Sequence, residues 1–417
     1  FNGHPRFWGY VTSSAAPIGA LGDFLASAVN PNVGAWKLSP IASEIEAQSV
    51  RWVADLIGYP TTCGGLLVSG GNMANFAGFL AARTSKLGGQ VRKVGILGTS
   101  HQGIRVYASE ETHTWIQKAV DLFGFGTDSI RWISTDSKQR LQIHELRKVI
   151  ETDRKNGDTP FLVVGTAGTV STGAVDPLVE MAEICREYRL WFHVDGAYGG
   201  IAAQVPGVSR DLRGLNSADS VAVDPHKWLY APLEAGCVFL RNPRDLLAAF
   251  SYSPPYYHFG EETLNYIDVG LQNSRGFRAL KVWLALQQVG RTGYMSMIAE
   301  DIQLAKTLDQ RVKKHQELES VTQSLSITTF RYVPQDLLTK SDSGEVETYL
   351  NKLNEELLLR IEKSGEAFLS NAIVDGKFVL RLCIVNFRTS LSDIEALPEL
   401  VVRLGRQTDA LLRSGTM

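Results

Sequence analysis

Between residues 66 and 240, short apolar, β-branched runs recur, each followed by a stretch of helical period. That alternation leaves few architectures open to the chain besides a mainly parallel sheet with helices on both faces. Strands are expected at 66–68, 104–108, 130–133, 161–165, 190–194, 220–223 and 237–240, seven in all. Helices are expected at 72–83, 114–122, 143–155 and 177–188, the last with Pro177 in its first turn. After an apolar-striped segment at 277–289 the pattern changes to helix, strand (326–331), helix (346–363) and strand (378–384). That part reads as a smaller C-terminal α+β domain. The stretch 251–272 holds Pro254, Pro255 and several tyrosines without a clear period and is expected to be a long loop. The expected division is a remnant of an N-terminal arm over 1–16, a large α/β domain over 17–288 and a small α+β domain over 289–417. The chain begins at Phe1 rather than Met, so a leading segment that was cut, processed or left out of the numbering is expected.

Composition narrows the function classes. With 44% hydrophobic and 21% charged residues, the chain can bury one large core and a second smaller one. Its 42 basic and 44 acidic side chains leave a net charge of −2, so no overall field draws nucleic acid or an anionic bilayer, and neither is expected as a partner. No window approaches the roughly 18 apolar residues of a spanning helix. Cys63, Cys185, Cys237 and Cys383 lie far apart without a CxxC pair, which fits free thiols in a cytoplasmic protein better than a disulfide or zinc framework.

The chemistry concentrates where strands end. Lys227, in His226-Lys227-Trp228, stands just past an apolar strand, where desolvation and neighbouring charge can make it an imine-forming nucleophile. A lysine after a strand is by itself most often a surface charge. The context is Asp195, which ends another apolar strand and can hold a bound pyridine nitrogen protonated, with Gly196 and Ala197 leaving room for a flat ring. Read alone, Asp195 could equally cap the next segment.

A third element is Val68-Ser69-Gly70-Gly71-Asn72-Met73-Ala74-Asn75, a strand end, a glycine turn and a helix start, with Gly71, Asn72 and Met73 as amide donors to a phosphate. Many such turns are only connections, and this one lacks the GxGxxG spacing of a dinucleotide site. The fourth element is His113, beyond another strand end, able to stack on a flat cofactor and to move protons. No group of His, Cys, Asp and Glu has metal-ligand spacing, so no metal is expected. A phosphate cradle, a stacking histidine, an acid for a ring nitrogen and an imine lysine are together the parts that hold pyridoxal 5'-phosphate. Lys227 follows Asp195 by 32 residues, about one crossover and a strand, which puts the two on adjacent strand ends.

With these residues in place, the sequence resembles the pyridoxal-phosphate-dependent group II amino-acid decarboxylases over nearly its whole length. The resemblance rests on His4-Pro5-Arg6-Phe7, on 34–40 with 44–46, on 109–113, on Gly165-Thr166-Ala167-Gly168-Thr169, on His193 to Tyr198, on Asp224-Pro225-His226-Lys227-Trp228 and on 277–281. It implies a fold type I homodimer with active sites at the subunit interface. It also implies that Lys227 carries the cofactor, Asp195 pairs with its ring nitrogen, His113 stacks on the ring and Ala197 packs on the opposite face. Thr169 would lie near His113. The phosphate would be held by Gly71, Asn72 and Met73, by His226 and by Asp224. At Asp224 several relatives carry asparagine, and an acid beside a phosphate is unfavourable unless turned away or protonated.

The same resemblance makes Tyr256, with Tyr257 as its neighbour and alternative, the residue that protonates the carbanion after carbon dioxide leaves. Relatives that form aldehydes with oxygen carry phenylalanine there. The expected reaction is therefore decarboxylation of an amino acid to its amine. The alternatives are an oxygen-dependent aldehyde synthase or transaminating relative, or a non-catalytic dimeric homologue. The resemblance also implies that Phe7, Ser13 and Trp36 lie in the substrate wall, where the aromatic neighbourhood of Phe7, Trp8 and Trp36 suits an aromatic substrate. Aromatic side chains there are as often core packing, and aliphatic or acidic amino acids are the alternatives. Gly34 is expected to widen the pocket.

Overall fold

A computed structural model describes residues 1–252, 263–338 and 344–415. The chain divides into two compact units, one of residues 15–169 and 175–295, the other of residues 1–14, 170–174 and 296–417.

The larger unit is built on a seven-stranded sheet. Its strands are β1 (Gly64–Val68), β2 (Ile104–Ser109), β3 (Ile130–Ile133), β4 (Thr159–Thr166), β5 (Trp191–Asp195), β6 (Ser220–Val223) and β7 (Gly236–Leu240), in the spatial order β1-β7-β6-β5-β4-β2-β3. The neighbours from β6 through β5, β4 and β2 to β3 are parallel. Only β7 runs against its neighbours β6 and β1. Because β1 opposes β7 and β7 opposes β6, β1 runs with the parallel set. The carboxyl ends of β1, β6, β5, β4 and β2 therefore lie along one edge of the sheet, where open α/β sheets bind ligands. The register fixes that row: Val68 pairs with Gly236, Val223 with Cys237, Asp195 with Ala222 and Thr166 with Asp195. Every residue of β5, β6 and β7 is buried, as strands covered on both faces require.

Helix Gly71–Leu87 packs on this sheet through Phe76, Phe79, Leu80 and a run of alanines, within a core that includes Val106, Phe161, Leu162 and Trp191. Helix Pro40–Ile57 starts with proline in its first turn and stops at Gly58, whose φ of 73° few other residues adopt. Its Glu46 is fully buried, and Arg275 holds it through two contacts of 2.5 and 3.1 Å. The same carboxylate accepts from the amide of Leu67, and Arg275 donates to the Leu67 carbonyl, so the pair braces β1 from the side. Arg275→Met strands a buried carboxylate and is expected to cost about 3–5 kcal/mol. A denaturant midpoint is the measurement, and an unchanged midpoint would contradict this brace. Asp176, whose carboxyl burial raises to about 6, accepts from the amides of Leu141 and Thr166 and pins the end of β4.

The smaller unit has a four-stranded antiparallel sheet of β8 (Leu318–Ser324), β9 (Ile327–Tyr332), β10 (Ser370–Val374) and β11 (Lys377–Cys383), in the order β10-β11-β9-β8. Helices Gly344–Ser364 and Leu391–Arg413 bury Leu350, Leu353, Leu357, Ile394, Leu397 and Val401 against it. Of residues 1–16, expected from the sequence to be an arm, residues 1–14 belong to this unit. Phe7 bridges Phe368, and the amides of Trp8, Phe368 and Cys383 tie the segment to its neighbours. The unit also holds residues 170–174, where Arg381 donates to the carbonyl of Val170.

Candidate active site

The first element of the site is the turn after β1. Gly70 has φ 102°, and a side chain on Gly236 would meet the Gly70 backbone at 2.5 Å, so the turn accepts glycine at both places. No side chain caps helix Gly71–Leu87, and the amides of its first turn have no acceptor within the helix. This is an open positive end where Gly71, Asn72 and Met73 stand.

Asp195 ends β5 and is 6% exposed. Its Oδ1 accepts the amide of Ala197 at 3.1 Å, which turns the chain sharply after the strand. Ala197 in turn accepts the amide of Asp224 at 3.3 Å and would lie 3.3 Å from a Cβ placed on Gly71. One alanine thus joins the ends of β5 and β6 to the glycine turn.

Past β6, helix Pro225–Trp228 carries His226 and Lys227. The Lys227 Nζ lies 3.2 Å from Asp224 Oδ2, and His226 Nε2 lies 3.8 Å from the same oxygen. A Cβ on Gly71 would come within 2.7 Å of that oxygen, so the lysine, the acid and the helix start share one place. His226 Nδ1 lies 2.7 Å from the carbonyl oxygen of Ala235, which orients the ring; burial holds its pKa down, with Asp224 opposing. Trp228 stacks on Tyr198 at 4.9 Å and 13°.

His113 follows β2, and its Nδ1 accepts the amide of Trp115 at 3.2 Å, which leaves the proton of the neutral ring on Nε2. The protein around it lowers its pKa first by desolvation; Asp195 opposes that shift and Lys227 reinforces it. His113 is therefore within the electrostatic reach of both and neutral near pH 7. Thr169, in the segment after β4, is fully buried, and that segment is tied to Asp195 by the amide of Ala167.

The described residues among the expected cofactor contacts thus come together at one sheet edge. Those expected in the substrate wall are placed differently. Trp36 donates from Nε1 to Glu44 and from its amide to Asn265. Phe7 stacks on Phe368 at 4.6 Å, and Ser13 is buried; both belong to the smaller unit. Gly34 does not serve to widen a pocket: a Cβ there would meet the carbonyl oxygen of Asn273 at 2.2 Å, so close backbone approach explains it. Tyr256 and Tyr257 lie outside the described residues.

His193, for which its place on the strand gives an ordinary explanation in the sequence, has a structural role next to the site. It is fully buried, with its ring nitrogens 2.7 Å from Ser220 Oγ and Asn75 Oδ1, and burial lowers its pKa to about 4. It ties the first turns of helix Gly71–Leu87 to β5 and β6, two residues before Asp195. The spacing from Asp195 on one strand face was the available signal.

The donor set fits pyridoxal phosphate: an amine for an aldehyde, an acid at a strand end for a ring nitrogen and an uncapped helix start for a phosphate. Asp224 alone runs against the group's charge. Among the described residues, no cluster of three or more His, Cys, Asp or Glu could hold a metal ion, and no helix is long and apolar enough to cross a membrane.

Comparison with known proteins points to one family. The chain is 35% identical over 396 residues to an aromatic-L-amino-acid decarboxylase of Bacillus atrophaeus, covering 94% of this chain and 79% of that one. It is 31% identical to a phenylacetaldehyde synthase of a Rosa hybrid cultivar, covering 91% of this chain and 76% of that one. The crystal structure of Oryza sativa TDC with PLP and tryptamine superposes with a TM-score of 0.90 at 27% identity, covering 98% of this chain and 84% of that one. Residues 2–333 match the family model for the pyridoxal-dependent decarboxylase conserved domain. The chain is a fold type I protein and belongs to the pyridoxal-dependent decarboxylases.

Proposed function

We propose that the protein converts an aromatic L-amino acid to the corresponding amine and carbon dioxide. The observation that carries this reading is the meeting of Lys227, Asp224, Ala197 and the uncapped helix start at Gly71, with His113 in the field of Asp195 and Lys227. When bound, pyridoxal 5'-phosphate supplies a conjugated electron sink for the bond that breaks. Lys227 gives the covalent anchor for the cofactor aldehyde. Asp195 keeps a proton on the cofactor's ring nitrogen. The amides of Gly71, Asn72 and Met73, with His226, hold the phosphate, and Ala197 and Thr169 pack beside the ring. His113, neutral and with its proton on Nε2, stacks on the ring and passes a proton without bringing in a competing charge. Trp36 is kept as a candidate for the substrate wall, and Phe7 and Ser13 are kept on the family resemblance alone.

The aromatic preference is supported by the Bacillus relative and by the rice protein solved with tryptamine. Measuring carbon dioxide and amine across the twenty amino acids with cofactor-saturated protein tests it. No release from any of them would sink the reading. Self-association into a dimer is supported by helix Pro17–Val29, where Leu21, Phe24 and Val29 are 63%, 74% and 65% exposed. Mass in solution measures it.

The rose relative favours a second reading, oxygen-dependent aldehyde formation. Tyr256 opposes it, as the residue proposed to return a proton to Cα. Tyr256→Phe is expected to lower amine output and to raise aldehyde, ammonia and hydrogen peroxide, read by a peroxidase-coupled assay and mass spectrometry. A variant that makes only amine at the wild-type rate would remove Tyr256 from this role.

A further inference from the structure

Asp224 is the residue that the cofactor assignment leaves unexplained. It sits at the N-cap of helix Pro225–Trp228, where an aspartate ordinarily accepts an amide of its own helix, yet its side chain makes no such bond. The carboxylate is turned instead toward the site. Its side chain is 3% exposed, its Oδ2 is 3.2 Å from Lys227 Nζ, and that oxygen crowds Gly71 so closely that a Cβ there would approach to 2.7 Å. Its Oδ1 is buried with no hydrogen-bond partner. A buried carboxylate oxygen without a donor is costly, and what compensates it here is positive potential from the lysine and the uncapped helix start. The acid therefore stands where an incoming anion would stand. An ionised carboxylate only accepts hydrogen bonds and has no proton to offer a phosphate oxygen.

We propose that Asp224 is a built-in brake on cofactor retention: its carboxylate competes with the cofactor phosphate for the start of helix Gly71–Leu87 and is paired with Lys227 until the cofactor displaces it. This rests on the assignment of that helix start as the phosphate site. The consequence is a protein that exchanges its cofactor readily and responds to cofactor supply, because like charges a few ångströms apart oppose binding of the phosphate and not of the ring. An amide of the same shape removes the charge and adds two donors.

The test uses cofactor-free wild-type protein, Asp224→Asn and Asp224→Ala, titrated calorimetrically with pyridoxamine 5'-phosphate and with pyridoxamine. Neither compound has an aldehyde to react with Lys227, so attachment does not enter the result. Both variants are expected to bind pyridoxamine 5'-phosphate about tenfold more tightly than wild type. Neither should change for pyridoxamine. The alanine variant separates loss of charge from gain of a donor and stands in should the asparagine variant fold poorly. Unchanged or weaker affinity for the phosphorylated compound, or an equal gain for both compounds, would overturn the brake. Should wild type itself show no preference for the phosphorylated compound, the phosphate-site assignment falls as well, a result distinct from failure of the brake alone.

Discussion

Lys227→Ala protein, saturated with cofactor, is expected to release amine only at background and to lack the visible absorbance that a lysine-anchored cofactor gives. The expectation follows from position. Lys227 is held at the end of β6 by a four-residue helix, with its amine 3.2 Å from Asp224 and beside the uncapped helix start. The described residues near the site include one other amine placed to act on His113, that of Lys118, which lies on the helix after it. Truncation also leaves the Asp224 carboxylate without its cation, so stability falls as well. Lys227→Arg separates the two effects. Arginine keeps a cation for Asp224, yet its guanidinium stays charged and cannot serve as the anchoring amine. The arginine variant should melt close to wild type and still be colourless and inactive. Turnover by either variant at more than background would remove Lys227 from the chemistry and with it the mechanism.

How much of this was legible in sequence differs between the two sheets. Strands β5 and β6 are covered on both faces and therefore read as mainly apolar runs, interrupted by His193 and Asp195 on β5 and by Ser220 on β6; β3 and β6 fall at their expected bounds. In the smaller unit the sequence shows β9 and β11 and not β8 and β10. These are the edges of their sheet, and six of the seven residues of β8 are only half-buried, so no apolar run marks it. Helix Leu391–Arg413 was also passed over, although Ser390 and Asp393 form the capping box that announces it. The direction of β7 was not legible at all, because a buried antiparallel strand has the same composition as its parallel neighbours.

Where chemistry and strand ends coincide, as at Asp195, Lys227 and Gly71, the sequence points to residues that the fold brings to one sheet edge. It is a poorer guide where a residue type serves two purposes. The family resemblance put Phe7 and Trp36 in a substrate wall, where their aromatic rings suit an aromatic substrate, and the fold gives the one a ring partner and the other a carboxylate. Gly34 suggested space and instead marks a backbone carbonyl. In these cases the sequence reports size and polarity, and only tertiary contact decides what they are for.

The second large effect belongs to Asp195. Asp195→Asn is expected to lower kcat by about 10²–10³-fold, the scale seen when one preorganised electrostatic group is removed from a site. The fold should survive, because asparagine keeps an oxygen to accept the amide of Ala197, the contact that turns the chain after β5. The lost quantity is charge. A neutral amide cannot hold a proton on the cofactor's ring nitrogen, so the electrons left by carbon dioxide have a poorer acceptor, while Lys227 and the helix start are untouched. The variant should therefore keep its visible absorbance and lose its rate, the reverse of a simple folding defect. His113 adds a pH signature. Asp195 raises the pKa of His113 against desolvation, so its removal lowers that pKa further and keeps the ring neutral to lower pH. If turnover needs the neutral ring, the acid limb of the kcat profile moves down in pH in the variant. A wild-type kcat with an unmoved acid limb would show that Asp195 is only the cap of its turn, and the ring nitrogen would need another partner.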